Sequence, residues 1–310
     1  MLRFALLGTP QITLNGRSLN EQLNGRPLAA LIYLAVSSHP CTRTKLAEIL
    51  WDELASREDL RKVRTVLPRL RGGIEPYLVI TRDTVAFDPG SDSWVDVTIF
   101  RNQLTIPHTS IPPTQLASLL DLYQGDFLGE FTIRNASEFE VWACRQREEL
   151  HQLAVRGYQR LVDAWLKQGN VEAGLNASKR LLALEPWHEE GHRQQMRLLA
   201  LSGERVAALT QFSLCQRVLA DEFGLEPSAE TISLYEEIRS GKFYRSIEEK
   251  PSEVIGARAP SKVEDTTKSS HLSPSAPISA RLPQVNWSTI PYTPRFYGRQ
   301  KELTTVTHWL

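Results

Sequence analysis

Cysteine is scarce in this chain. Cys41, Cys144 and Cys215 lie far apart and form no CxxC pair, so neither a disulfide framework nor a cysteine zinc site is expected, and a reducing compartment suits them. Long apolar runs are missing too. The longest, Leu28 to Val36, falls far short of the roughly 20 residues that span a bilayer. Met1 to Gly8 is too short for a secretory signal, and a turn and polar residues follow it. A cytoplasmic protein with no membrane partner is the expectation. No GxxxxGK[ST] phosphate loop occurs. Neither sign of charge prevails, since 36 Lys+Arg balance 36 Asp+Glu over 310 residues. Their distribution is less even: residues 1–95 carry 12 basic and 10 acidic side chains, 96–242 carry 15 and 20, and 243–310 carry 9 and 6. A slightly basic head on an acidic body suits a polyanion met through one small surface. The length allows about two domains.

What is present gathers between Thr42 and Phe87. After Ser56 the sequence reads Arg57-Glu58-Asp59-Leu60-Arg61-Lys62-Val63-Arg64-Thr65-Val66-Leu67-Pro68-Arg69-Leu70-Arg71. Leu60, Val63, Leu67 and Leu70 make one apolar stripe at helical spacing, and Arg61, Lys62, Thr65 and Arg69 point away from it. Ser56 with Asp59 forms a capping box, and Gly72-Gly73 a C-terminal stop. Pro68 falls inside the helix, where proline costs about 3 kcal/mol, so a kink or early end is expected there. A helix of this width fits the major groove, where Arg and Lys read guanine edges and neutralise phosphates. Taken alone, the cations also fit a merely solvated surface; the flanking elements favour the DNA reading.

Those elements are short strands over residues 1–20, turning at Asn15-Gly16, a helix over Pro27–Ser37 and another over Arg43–Trp51. After the basic helix, Tyr77–Thr81 and Thr84–Phe87 alternate as a hairpin with Arg82 at its tip. Strands, three helices and a hairpin, in that order, resemble the winged helix-turn-helix of response-regulator effector domains. That resemblance implies a third helix in the major groove and a hairpin tip at the neighbouring minor groove.

From Trp94-Val95-Asp96-Val97 the pattern becomes helical. Gln115–Tyr123 is a short helix and Tyr123 to Leu128 a turn-rich link. Ser137 with Glu140 reads as a second capping box, opening a helix that runs to Lys167. Gly169-Asn170-Val171-Glu172-Ala173-Gly174-Leu175 matches Gly203-Glu204-Arg205-Val206-Ala207-Ala208-Leu209 at an offset of about 34, the tetratricopeptide period. Helices at Val171–Leu184, His188–Leu201, Glu204–Leu219 and Ser228–Ile238 fit it, with an insertion near Asp221–Leu225. The segments Leu122 to Leu128, Trp142 to Leu153, Gly169 to Leu184, Glu185 to Glu190 and Asp221 to Pro227 resemble the bacterial transcriptional activation domain. In the Streptomyces antibiotic regulatory protein family that domain follows a winged helix. The resemblance covers residues 1–240 and implies transcriptional activation: binding to promoter repeats on double-stranded DNA, as a side-by-side homodimer, and contact with RNA polymerase.

Residues 243–294 hold seven prolines and nine serines among 52 and read as a flexible linker. Pro294 to Leu303 resembles the opening of a signal-transducing NTPase domain. His188-Glu189-Glu190-Gly191-His192 matches HExxH, in which two histidines hold zinc and the glutamate activates water. Gly191 weakens that helix and no third ligand is marked, so no metal, cofactor or catalysis is expected. Cys144, Cys215, Trp142, Trp165 and Trp187 read as core residues. The acidic group Asp221, Glu222, Glu226, Glu230, Glu236 and Glu237 reads as a solvated face, with a polymerase-facing surface as the alternative.

The fold class expected is an α+β winged helix-turn-helix (1–95) followed by an all-α, tetratricopeptide-like domain (96–242), then the linker and the start of an NTPase-type domain (295–310). For DNA contact, Arg61, Lys62 and Thr65 are assigned to base edges or nearby phosphates. Lys45, Arg57, Arg64, Arg69 and Arg71 are assigned to phosphates, and Arg82 to the minor groove. The alternative is a protein-interaction scaffold without specific DNA binding.

Overall fold

The computed structural model describes residues 1–37, 39–52, 57–105 and 111–243; along the basic helix, the side chains at 57–62, 64 and 71 are also outside the described set. The Ser56–Asp59 capping box, the linker from 244 onward and the NTPase-like segment fall outside it. The chain divides into Met1–Ala257 and Arg258–Leu310, and all described residues belong to the first unit.

Strands β1 (Leu2–Ala5), β2 (Gln11–Leu14) and β3 (Arg17–Ser18) form an antiparallel meander in which Phe4 faces Ile12. Asn15 (φ 50°) and Gly16 (φ 79°) supply the two left-handed residues that a tight hairpin turn needs. Helix α1 (Arg26–Ser37) is apolar along most of its length and buried almost throughout. A two-residue strand β4 (Cys41–Thr42) leads into α2 (Arg43–Leu50), whose N-cap Thr42 accepts from the Lys45 N–H. Then come α3 (Arg57–Ile74) and the hairpin β5 (Leu78–Ile80) and β6 (Thr84–Phe87). Strand β4 pairs with β6, making a three-stranded sheet. Strand β7 (Ser93–Val95) returns to lie parallel to β1, giving the first sheet the order β3-β2-β1-β7.

Helices α4 (Asp96–Leu104), α5 (Pro113–Leu120) and the long α6 (Ser137–Gln168) follow, then α7 (Val171–Leu184), α8 (Glu189–Leu201), α9 (Arg205–Phe223) and α10 (Ala229–Ser240). The last four match the spacing of the repeat. Its small residues have a packing reason: a Cβ on Gly174 would meet Leu198 Cδ2 at 2.8 Å, and its counterpart Ala208 is fully buried. The expected insertion lengthens α9 to 19 residues against 14 in α7, and α9 stops at left-handed Gly224.

One apolar core runs from Leu2 through α1, α3 and α6 to Leu198, and a second, around Met196, Ala208 and Ile238, closes the far end. The polar pin of the first core is Asp96, 3% exposed. Its Oδ2 accepts from the Leu6 and Leu7 N–H groups (2.6 and 2.9 Å) and its Oδ1 from Val97 N–H (2.7 Å). Burial pushes the carboxyl above its ordinary range, and the three backbone donors oppose that. Past β1 the chain continues to dock: Gln124 N–H donates to Leu7 O and Leu128 N–H to Leu6 O. Gly8 (φ 129°) allows the approach, since a Cβ there would sit 3.4 Å from that of Gln124.

Asp96→Ala strands three backbone donors in the core and should cost about 3–5 kcal/mol, the usual loss for breaking a buried charged network. Urea unfolding of the full chain measures it, and a change below about 1 kcal/mol would show the pin to be unimportant.

Candidate nucleic-acid interface

Helix α3 buries Val63, Val66, Leu67, Leu70 and Ile74 and turns Thr65, Pro68 and Arg69 to solvent. The expected kink at Pro68 is not there. Non-helical backbone angles occur only at Gly72 and Gly73, the latter at φ 97°. Pro68 is exposed, so water can reach the carbonyl one turn back that it leaves without a partner. The Gly pair then ends the helix as expected.

The hairpin tip is exposed at Thr81, Arg82 and Asp83. Thr81 Oγ1 holds it, accepting from Thr84 N–H (2.9 Å) and lying 2.8 Å from Thr84 Oγ1. Arg43, not anticipated from sequence, ties α2 to this tip: its N–H donates to Asp83 O (3.0 Å) and its guanidinium to Thr81 O (2.9 Å). No local signal in the sequence marks it. Lys45 pairs with Glu48 at 3.2 Å with both side chains about half exposed; such a pair is weak enough for a phosphate to displace. The Glu48 hydrogen bond pushes its ammonium above the usual range. Of the predicted contacts, then, Lys45, Thr65, Arg69 and Arg82 reach the surface, while the side chains of Arg57, Arg61, Lys62, Arg64 and Arg71 lie outside the described residues. Thr65 and Arg69 also line a cavity of about 320 Å3 with Asn24, Arg26, Pro27, Trp51 and Val66.

This head is clamped to the helical body. Arg26 donates from Nε to Leu50 O (3.0 Å) and from its terminal nitrogen to Arg134 O (2.8 Å), with its guanidinium over Trp51. Tyr33 of α1 meets Trp142 of α6 edge-on at 5.0 Å, and Trp142 also packs on Phe127 and Phe139. The Ser137–Glu140 capping box is corrected. Ala136 is the N-cap and makes no side-chain cap bond. Asp52, 85 residues away, accepts from both the N–H and the hydroxyl of Ser137, while Glu140 accepts from Ile133 N–H. The hydroxyl and backbone N–H of Ser137 hold the Asp52 carboxyl below its usual range.

The HExxH residues are occupied otherwise. His188 caps α8, its Nδ1 accepting from Gly191 N–H (3.0 Å). Both ring nitrogens of buried His192 are engaged, by Pro186 O and the Gln211 amide (each 2.7 Å), and burial pushes it below the imidazole range. Glu189 Oε1 accepts from Ser228 N–H (2.7 Å) and Thr231 Oγ1 (2.5 Å), at the start of α10. Burial would raise its carboxyl, and these donors outweigh that and leave it lowered. Among the described residues no group of three His, Cys, Asp or Glu could hold a metal ion. Two core assignments also change: Cys144 is exposed, and Trp187, 41% exposed, meets Phe223 edge-on at the surface.

Residues 113–239 match the bacterial transcriptional activator domain. The match supports the resemblance to the Streptomyces antibiotic regulatory protein family. It is similar to the regulatory protein AfsR of Streptomyces coelicolor, with 25% identity over 235 residues, 73% of this chain and 23% of that protein. In fold it is similar to Mycobacterium tuberculosis EmbR, solved in complex with a low affinity phosphopeptide, at TM-score 0.60 and 20% identity, covering 77% of this chain and 65% of that one. The chain thus spans about a quarter of the curated relative and just under two thirds of the solved one. The matched domain and the relatives support a transcription regulator. Among the described residues, no helix is long and apolar enough to cross a membrane.

Two outcomes follow from this geometry. A lowered carboxyl stabilises the fold above its unfolded pKa, and that contribution is lost as pH falls through the folded one. Asp52→Ala should therefore melt below wild type at pH 7, with the gap closing as acid protonates Asp52; a gap constant down to pH 2 would remove this role. For His188→Ala, loss of the cap should cost about 1 kcal/mol in urea unfolding, and elemental analysis of the purified chain should give far less than one zinc per molecule.

Proposed function

We propose that this transcription regulator is a sequence-specific activator. Residues 1–95 bind promoter repeats, and residues 96–242 present the surface that meets RNA polymerase. The observation that carries the reading is α3 itself. Its apolar side is sunk into the core through Val63, Val66, Leu67 and Leu70 while Thr65 and Arg69 stand at the surface, and an exposed hairpin tip carrying Arg82 follows it. That is the disposition a groove-entering helix and its wing need. In this reading Arg61, Lys62 and Thr65 face base edges or adjacent phosphates. Arg57, Arg64, Arg69, Arg71 and Lys45 neutralise phosphates, Arg82 enters the minor groove, and two copies sit side by side on a direct repeat.

The test is selection of bound duplexes from a random pool with the full chain, then anisotropy titrations of the winner in rising salt. A direct repeat should be enriched. Arg69→Ala should flatten the slope of log affinity against log salt by about 0.9, one phosphate's share. Arg61→Ala should cost about 1–3 kcal/mol and relax the preference at one base position. If no sequence is enriched and binding ignores salt, the protein-interaction scaffold takes its place.

A further inference from the structure

Two exposed aromatic rings meet where the turn before α8 faces the end of α9. Trp187 and Phe223 pack edge-on at 6.2 Å, yet they are 41% and 54% exposed, and among the described residues no other aromatic side chain is as open to solvent. Leu225, 60% exposed, stands just past the capping Gly224, its N–H held by Leu219 O (3.2 Å). Single exposed apolar side chains are ordinary; a group of them marks a contact surface. The charge around this group is of one sign. Asp221 and Glu222 precede Phe223, Glu226 follows Leu225, and all three are exposed. Among the described residues none of them forms an ion pair: Arg217, one turn before Asp221, does not pair with it, and Arg193 and Arg197 are taken up by Glu189 and Glu190. From 218 to 238 the chain carries six carboxylates and no cation. Helix α9 has no basic residue in its last turn, and the negative end of a helix dipole disfavours carboxylates placed there. Fold stability therefore gives no reason for Asp221 and Glu222. Nor does the repeat, since α9 has 19 residues against 14 in α7 and these two lie in the extra length.

We propose that this corner is a docking surface for a basic segment of a partner protein that also carries aliphatic side chains. Trp187, Phe223 and Leu225 cover the aliphatic side chains, and Asp221, Glu222 and Glu226 face the lysines and arginines beside them. An arginine of the partner can also lie over the indole face. The sign of the charge turns away nucleic acid and anionic lipid, which are themselves negative. Opposite charge at the rim brings the right partner in and holds off acidic ones, while the apolar centre supplies most of the affinity. This inference rests on the reading above only in taking residues 96–242 as the part that meets a protein partner.

The probes are three labelled peptides titrated into the full chain: one of lysine, arginine and leucine in amphipathic helical order, one with every cation changed to glutamate, and one with every leucine changed to serine. In fluorescence anisotropy the first should bind saturably and the second not at all. The third should bind about ten-fold more weakly than the first, the share of one buried aliphatic side chain. The Trp187 indole and Leu225 methyl resonances should move with the first peptide. Phe223→Ser should weaken it about ten-fold with no fall in melting temperature. Glu222→Lys should weaken it about five-fold, the weight of one exposed ion pair, while raising the melting temperature, because a cation suits that end of α9. The proposal is overturned if the first peptide does not bind saturably, if all three bind alike, if both variants bind as wild type does, or if Glu222→Lys lowers the melting temperature. It is overturned as well if sedimentation shows the chain pairing with itself and Phe223→Ser dissolves the pair, which would make a second copy the occupant. Because duplex affinity is read separately, loss of DNA binding would fail the regulator reading and leave this one standing.

Discussion

The end of β1 does not stop at the edge of its own sheet. Leu6 and Leu7 run on into the helical body, giving their N–H groups to buried Asp96 and their carbonyls to Leu128 and Gln124. An extended segment that enters a core must satisfy every backbone group it brings, and here a carboxylate and a turn do so. Around that seam the aromatic rings of Tyr33, Phe127, Phe139 and Trp142 close the gap between α1 and α6. The head and the helices therefore share one apolar interior, and Arg26 and Asp52 fasten the rim.

Most of the elements were legible because their signals are local. The Asn15-Gly16 turn, the apolar stripe of α3 and the 34-residue echo of Gly169–Leu175 need only neighbours in sequence to be read. What escaped was non-local or contextual. Strands β4 and β7 are two and three residues long, and pairing partners of β7 lie some ninety positions away. Ser137 looked like its own cap, but the acceptor came from Asp52 across the seam. Pro68 obeyed sequence rules for a breaker, yet the backbone stays helical through it as far as Arg71, with water able to reach the carbonyl it leaves. Trp142 is half-buried and Trp187 exposed, because only Trp142 has Tyr33, Phe127 and Phe139 around it to meet. For the interface, the helix and the hairpin were readable, and the bonds of Arg43 that couple α2 to the tip were not.

The HExxH segment shows how a motif can be satisfied chemically without a metal. The glutamate that would activate water instead accepts the first donors of α10, and one histidine caps the helix that the other anchors. Arg193 reinforces this corner, reaching Glu189, Glu190, Ser228 and Thr231. Partly buried and linked to several partners, such a network holds geometry better than isolated surface pairs like Lys45–Glu48 do. It ties the start of α10 to α8.

Helix α6 is 32 residues long, a rod of about 48 Å. Its first turn is pinned at Asp52 and its last begins the repeats. Stiff coupling of this kind removes a torsional degree of freedom: a duplex gripped by the head would see the repeats emerge at one fixed azimuth. Half-sites separated by whole turns of DNA would then line the repeats of two copies up on one side of the duplex. A five-base-pair change in spacing would set them on opposite sides, so rotational phasing would matter as much as distance.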